Sequence, residues 1–242
     1  MKNTNIEFNQ GDNRKQEFLV TALKLFHEKG YEKTTIKDII AKMEVSKGAF
    51  YHYFESKEDV IVTLAKVYAD KAINIITNIA NRTDLSAIEK INQIFQSVNA
   101  YKGSSEATRF QLKDAFYGEE NLKLGKKIFD AFKEPSIDLF QQIIDEGVQE
   151  GSIEEPVCSR ELAEFLLYTI KGLNTSIDTL VYHMKDEDNN YGYKEFIASL
   201  DKKLRTYEAV FTKVLNLQEG SIKLRESYLN RFDWENEPPG TI

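Results

Sequence analysis

The sequence predicts an all-α protein, and three observations carry that expectation. Its 242 residues include only 12 glycines and 4 prolines, so the residues that punctuate strands and turns are sparse. Leu, Ile, Ala, Lys and Glu recur at spacings of three and four from Asn13 onward, the period of an amphipathic helix. A hydrophobic content of 41% is enough to fill a sizeable core.

Residues 1–12 are polar and show no period; a disordered arm is expected there. Phe18, Ala22, Leu25 and Phe26 then line one face of a first helix, which Gly30 ends by adopting the left-handed conformation. Thr35-Ile-Lys-Asp38 fits a capping box and opens a short second helix that turns Ile36, Ile39, Ile40 and Met43 inward. Glu44 and Val45 make a turn, and Ser46 caps a third helix through Tyr53. Ser56-Lys-Glu-Asp59 is a second capping box, and the long helix behind it carries its stripe from Val60, Ile61 and Leu64 to Ile75, Ile76 and Ile79.

Ser86-Ala-Ile-Glu89 opens a fifth helix to about Tyr101, where KGSS is expected to break it, and a further helix reaches about Tyr117. Separate helices are expected before and after Pro135, ending near Gly151. The two most regular stripes follow: Leu162, Leu166, Ile170, Leu173, Ile177 and Leu180, then Phe196, Leu200, Leu204, Tyr207, Phe211 and Val214. They predict helices at about 159–184 and 193–216, joined by the charged loop KDEDNNYGY. A last helix over 219–231 and a tail over 233–242 complete the chain.

The formal charge of −7 is unevenly spread. Residues 1–57 hold ten Lys/Arg against eight acids, leaving that segment at +2 and the rest at −9. A mildly basic head on an acidic body suits a protein that meets an anion with one end. The single cysteine, Cys158, excludes an intrachain disulfide, and the first residues lack the apolar core of a signal peptide, so a cytoplasmic location is expected. No apolar run approaches the roughly 20 residues of a membrane helix. His27, His52 and His183 lie far apart, no Cys/His spacing suits a metal, and no phosphate-binding glycine loop or nucleophile elbow is present. Neither an enzyme nor a cofactor is therefore expected.

Within the head, a short helix, a tight turn and a second short helix with a serine cap make a helix-turn-helix pattern, whose second helix enters the major groove of DNA. RKQEFLVTALKLFHEKGYEKTTIKDIIAKMEVSKGAFYHYFESKEDVI goes further: with ALKLFHEKGY, TTIKDIIAKM, VSKGAFYHYF and ESKED in one run, it resembles the TetR family of bacterial transcriptional regulators. That resemblance implies a three-helix DNA-binding domain over residues 13–57 and an all-helical effector-binding and dimerisation domain over 58–232, joined by the long fourth helix. It also implies a homodimer that represses transcription from a near-palindromic operator and is released by a small-molecule effector. Control by a protein partner, or without a small-molecule effector, is the alternative the body leaves open. Where the family has glycine in the turn, Glu44 stands here; at a positive φ it would cost roughly 1 kcal/mol.

Phe50 and Phe54, four apart and on the side of Val45, are expected to pack inward on Phe26 and Ile40. The DNA face expected from the remaining positions comprises Thr35, Lys37, Ser46, Lys47, Gly48, Ala49, Tyr51, His52, Tyr53 and Lys57. Their hydroxyl, backbone N–H and ammonium groups suit phosphate, and Gly48 permits close approach of the backbone. Polar side chains on otherwise apolar helices, namely Gln111, Asp114, Tyr117, Tyr168, Asn174, Asp178 and His183, are the expected lining of an effector cavity.

Overall fold

A computed structural model describes residues 13–104, 121–185 and 192–229. Among these residues every regular element is a helix: α1 (Asn13–Lys29), α2 (Ile36–Lys42), α3 (Lys47–Tyr51), α4 (Lys57–Ala80), α5 (Ala87–Ser104), α6 (Asn121–Gln149), α7 (Ser159–Lys185), α8 (Tyr193–Val214) and α9 (Leu224–Leu229). The expected N-terminal arm, the helix to Tyr117, most of the charged loop and the tail lie outside the described residues.

The chain divides into two compact units, the first reaching Ile73 and including Lys102–Lys133, the second formed by Asn74–Tyr101 and the chain from Glu134 onward. The first unit is built on α1–α3 and the start of α4. Phe18, Ala22, Leu25 and Phe26 of α1 are all buried, together with Ile39, Phe50, Phe54, Val60, Ile61 and Leu64. Ile36, Ile40, Met43 and Val45 pack partly buried against this core, as does Ile128 from the first half of α6. Gly30 ends α1 at φ 82°, donating its N–H to the Phe26 carbonyl at 2.9 Å. Thr34 is fully buried beside it, and its hydroxyl donates to the carbonyls of Gly30 and Leu25.

In the second unit, α7 and α8 pack on each other and α9 packs on α8. Leu166, Leu173 and Ile177 of α7 and Phe196, Leu200, Leu204 and Phe211 of α8 are buried, whereas Val214 at the end of the predicted stripe is 40% exposed. The buried Lys90 of α5 donates to the Ala80 carbonyl at the end of α4 (2.8 Å) and to the Glu146 carboxylate of α6. That ammonium caps α4 and neutralises a neighbour at once.

Besides α3, which ends at Tyr51 instead of Tyr53, three boundaries differ from the sequence expectation. Pro135 lies inside α6, which runs through it unbroken. A mid-helix proline costs about 3 kcal/mol, but Ile137, Phe140, Ile143 and Ile144 are buried just beyond it. Each contributes roughly 1.5–3 kcal/mol, so burial outweighs the defect. Lys102, Gly103 and Ser104 continue α5 rather than break it, since one helical glycine costs only about 1 kcal/mol. The last helix is six residues, Leu224–Leu229, and the chain before it turns at Gly220, φ 83°.

Candidate nucleic-acid interface

The turn between α2 and α3 fixes the geometry of the candidate surface. Thr35 caps α2: its hydroxyl oxygen accepts from the Asp38 N–H, while the Asp38 carboxylate accepts from the Thr35 N–H at 2.7 Å. Lys29 adds an ion pair to Asp38 at 2.8 Å. These partners, the Lys29 and Thr35 hydrogen bonds first, hold the Asp38 carboxyl well below the usual carboxylate range. The Glu44 backbone sits at φ 55°, so the turn keeps the left-handed residue that glycine supplies elsewhere, and a side chain with a Cβ bears the strain. The Val45 N–H then donates to the Ile40 carbonyl at 3.0 Å, and Ser46 Oγ caps α3 by accepting from the Ala49 N–H at 3.2 Å.

With five residues, α3 is too short to be stable alone. Its inward side supplies the missing stability. Phe50 and Phe54 are at most 1% exposed, and both set their rings edge-on to Phe18 of α1, at 5.7 and 6.0 Å between centroids. Phe18 is thus the ring that both meet, within the same core as Phe26. Tyr53 is half-buried, its ring 5.7 Å from Phe18 on one side and 4.7 Å from His52 on the other.

The outward side gathers most of the predicted residues. Thr35, Lys37, Ser46, Lys47, Gly48, Tyr51 and His52 are exposed, and Ala49 is half-buried. The Lys47 ammonium lies 5.5 Å from the centre of the Tyr51 ring, which is 47% exposed. Such a cation over a ring keeps a positive charge at the start of α3. A Cβ added at Gly48 would meet only Ser46 Oγ, at 3.8 Å; neither packing nor a positive φ accounts for a glycine there.

Lys57 is engaged differently from the rest. Its ammonium lies 4.0 Å from the Tyr31 ring centre and donates to the carbonyls of Tyr31 (2.8 Å) and Glu32 (3.4 Å). It therefore fastens the α1–α2 connection to the first turn of α4. Partial burial lowers its pKa against the opposing pull of Glu32.

Residues 18–64 match the bacterial regulatory proteins of the tetR family. The matched span is the unit just described, from Phe18 through the turn to the start of α4. Over that span the chain is similar to the TetR family. Among its relatives, the HTH-type transcriptional regulator YuxN of Bacillus subtilis is 34% identical over 113 residues. That match spans 45% of this chain and 38% of the relative, so less than half of YuxN is represented. The HTH-type transcriptional repressor DhaR of a Mycobacterium species is 23% identical over 86% of this chain and 97% of its own. A solved complex of SmeT with triclosan superposes with a TM-score of 0.61 at 15% identity, covering 88% of this chain and 95% of that one. At that identity the likeness shows the fold: a TetR-type helix-turn-helix unit followed by an all-helical remainder.

Among the described residues, the polar side chains expected to line a cavity do not share one space. Tyr168 and His183 are exposed on α7. Asn174 accepts from the Tyr228 hydroxyl at 2.9 Å and donates to the Ile170 carbonyl. Gln111, Asp114 and Tyr117 lie outside the described residues. The apolar interior lies instead against Phe95, Phe140 and Phe211. Among the polar side chains that cross-link the second unit, Lys90 and Asn99 occupy buried positions of α5, which also buries Ala87, Ile91, Ile94 and Phe95. Polar residues at helical spacing from those apolar ones were the available signal.

Proposed function

We propose that this chain is a DNA-binding transcriptional repressor that acts as a homodimer on a near-palindromic operator and is released by a small apolar effector. In this reading residues 13–57 are the DNA-binding domain and 58–232 the effector and dimerisation domain, working in the cytoplasm without catalysing a reaction. α3 enters the major groove, with Lys47, Gly48, Ala49, Tyr51, His52 and Tyr53 toward the DNA. Thr35, Lys37 and Ser46 stand at the flanking phosphates, where cap hydroxyls and backbone N–H groups can donate. Lys57 takes part from one step back, by holding the loop after α1.

Gly48 carries the reading. Glycine in the first turn of α3 costs about 1 kcal/mol against alanine, and open space surrounds its missing side chain. Its benefit therefore lies outside the chain, in a surface that must approach α3 closely. Gly48→Ala is expected to raise the melting temperature slightly and to weaken operator binding at least tenfold in gel-shift titrations. An alanine variant that binds as tightly as the parent refutes the assignment.

Exposed apolar side chains support the dimer: Phe165 (49%) and Tyr168 (45%) on α7, and Val210 (37%) and Val214 (40%) on α8. Residues 165, 168 and 172 share one side of α7, and 210 and 214 one side of α8. A second copy packing α7 and α8 as a four-helix bundle would cover these faces. Sedimentation velocity checks this, since Phe165→Glu is expected to run as a monomer. The apolar interior of the second unit supports the apolar effector class, and SmeT, which shares the fold, was solved with triclosan.

A further inference from the structure

We propose that residues 215–229 form a lid over an apolar ligand site, and that an uncharged, hydrocarbon-rich small molecule binds by displacing Ile222 and lifting this segment. The proposal rests on the effector reading above and adds where the effector sits and what it moves.

The second unit contains a small void of about 10 Å³, with wholly apolar walls that include Phe95 of α5, Phe140 of α6, Ile170 of α7 and Phe211 of α8. A dry space of that size admits no charged or hydrogen-bonding group. Phe95 and Phe211 stack along one side at 5.9 Å between centroids. The wall supplied by Ile222 differs from the others: it comes from the irregular stretch between α8 and α9, which turns at Gly220, φ 83°. Four walls are helices buried in a common core, and this one is a strap.

Polar fastenings flank Ile222 on both sides of the strap, beside the buried Leu224 and Tyr228. Asn92 of α5 donates to the Ser221 carbonyl and accepts from the Lys223 N–H, both at 2.8 Å. Further along, Glu208 of α8 accepts from the Arg225 N–H at 2.6 Å, Asn99 donates to Ser227 Oγ at 2.8 Å, and the Tyr228 hydroxyl donates to Asn174 at 2.9 Å. Arg225 also pairs with Asp201. Each bond can be exchanged for one to water when the strap lifts, and the buried surface of Leu224 and Tyr228 that lifting uncovers must be offset by the apolar surface the ligand buries in its place. Ile222 is the apolar plug between these clasps, and its 3% exposure closes the void. Withdrawing one isoleucine and its neighbours converts a void smaller than a ligand into a pocket that the walls already shape.

The test uses the full chain with the neutral fluorophore N-phenyl-1-naphthylamine and hydrogen exchange read by mass spectrometry. The probe is expected to bind and to speed exchange of the amides in 217–229. Asn92→Ala, which frees the clasp without altering the void's walls, should bind it about three- to tenfold more tightly, because more of the chain is already open. Ile222→Ala, which removes the plug itself, should also tighten binding and serves if the Asn92 variant folds poorly. No probe binding, equal affinity in parent and both variants, or binding that leaves exchange in 217–229 unchanged overturns the lid. Operator affinity measured with the same probe separates the two readings: a lid that opens while operator binding persists keeps the lid and removes effector control.

Discussion

The first unit holds a five-residue helix in place with phenylalanine rings; the second holds helices of more than twenty residues in register with buried polar side chains. In the head, Phe18, Phe50 and Phe54 meet ring to ring, and most of the polar groups are spent on caps within four residues of their partners. In the body, Lys90 reaches Glu146, Asn92 reaches Ser221, and Asn99 reaches Ser227. A small unit with little helix length depends on every ring it buries. A larger one depends on cross-links that set which way its long helices face.

The largest break in that contrast is expected at Phe50. Phe50→Ala removes a fully buried ring and should cost about 3–5 kcal/mol, melting the head while the far-ultraviolet signal of α7 and α8 survives in circular dichroism. Lys90→Met comes next. It strips the cap from α4 and leaves a partly exposed Glu146 to find water, so about 1–3 kcal/mol is expected. Hydrogen exchange should accelerate at the last turn of α4 and the start of α5, with the amides of α1–α3 unchanged; equal acceleration in both units would erase the distinction between them. Glu44→Gly should act in the opposite direction and most weakly. It relieves the left-handed strain at φ 55°, for a gain of about 1 kcal/mol or less after the added freedom of the unfolded chain is counted. Thermal melts check it, and operator affinity should not change.

This contrast also explains what could be read from the residues alone. Thr35 with Asp38, Ser46 with Ala49, and Phe50 with Phe54 are pairs three or four apart, and their spacing states their partner. Ser56 and Asp59 were nearly as legible: Ser56 Oγ accepts from the Asp59 N–H, although the Asp59 carboxylate takes the Glu55 N–H instead of that of Ser56. Lys57 was harder, because its partners are the carbonyls of Tyr31 and Glu32, some 25 residues back, and a backbone carbonyl leaves no mark on composition. Asn92 was harder still, its partners lying about 130 residues away. Pro135 misled for a different reason. Its local cost is visible in the sequence, whereas the burial of Ile137, Phe140, Ile143 and Ile144 that offsets it belongs to the tertiary structure.

The brevity of α3 has a consequence for how its outward surface can change. Because Phe50 and Phe54 carry the helix, residues 47, 48, 51 and 52 contribute little to folding, and most substitutions among them leave the stability within about 0.5 kcal/mol of its starting value. Binding preference can therefore drift, or be rewritten by selection, along one side of a helix whose other side stays fixed. A duplicated copy of this gene could acquire a new target before it lost its fold.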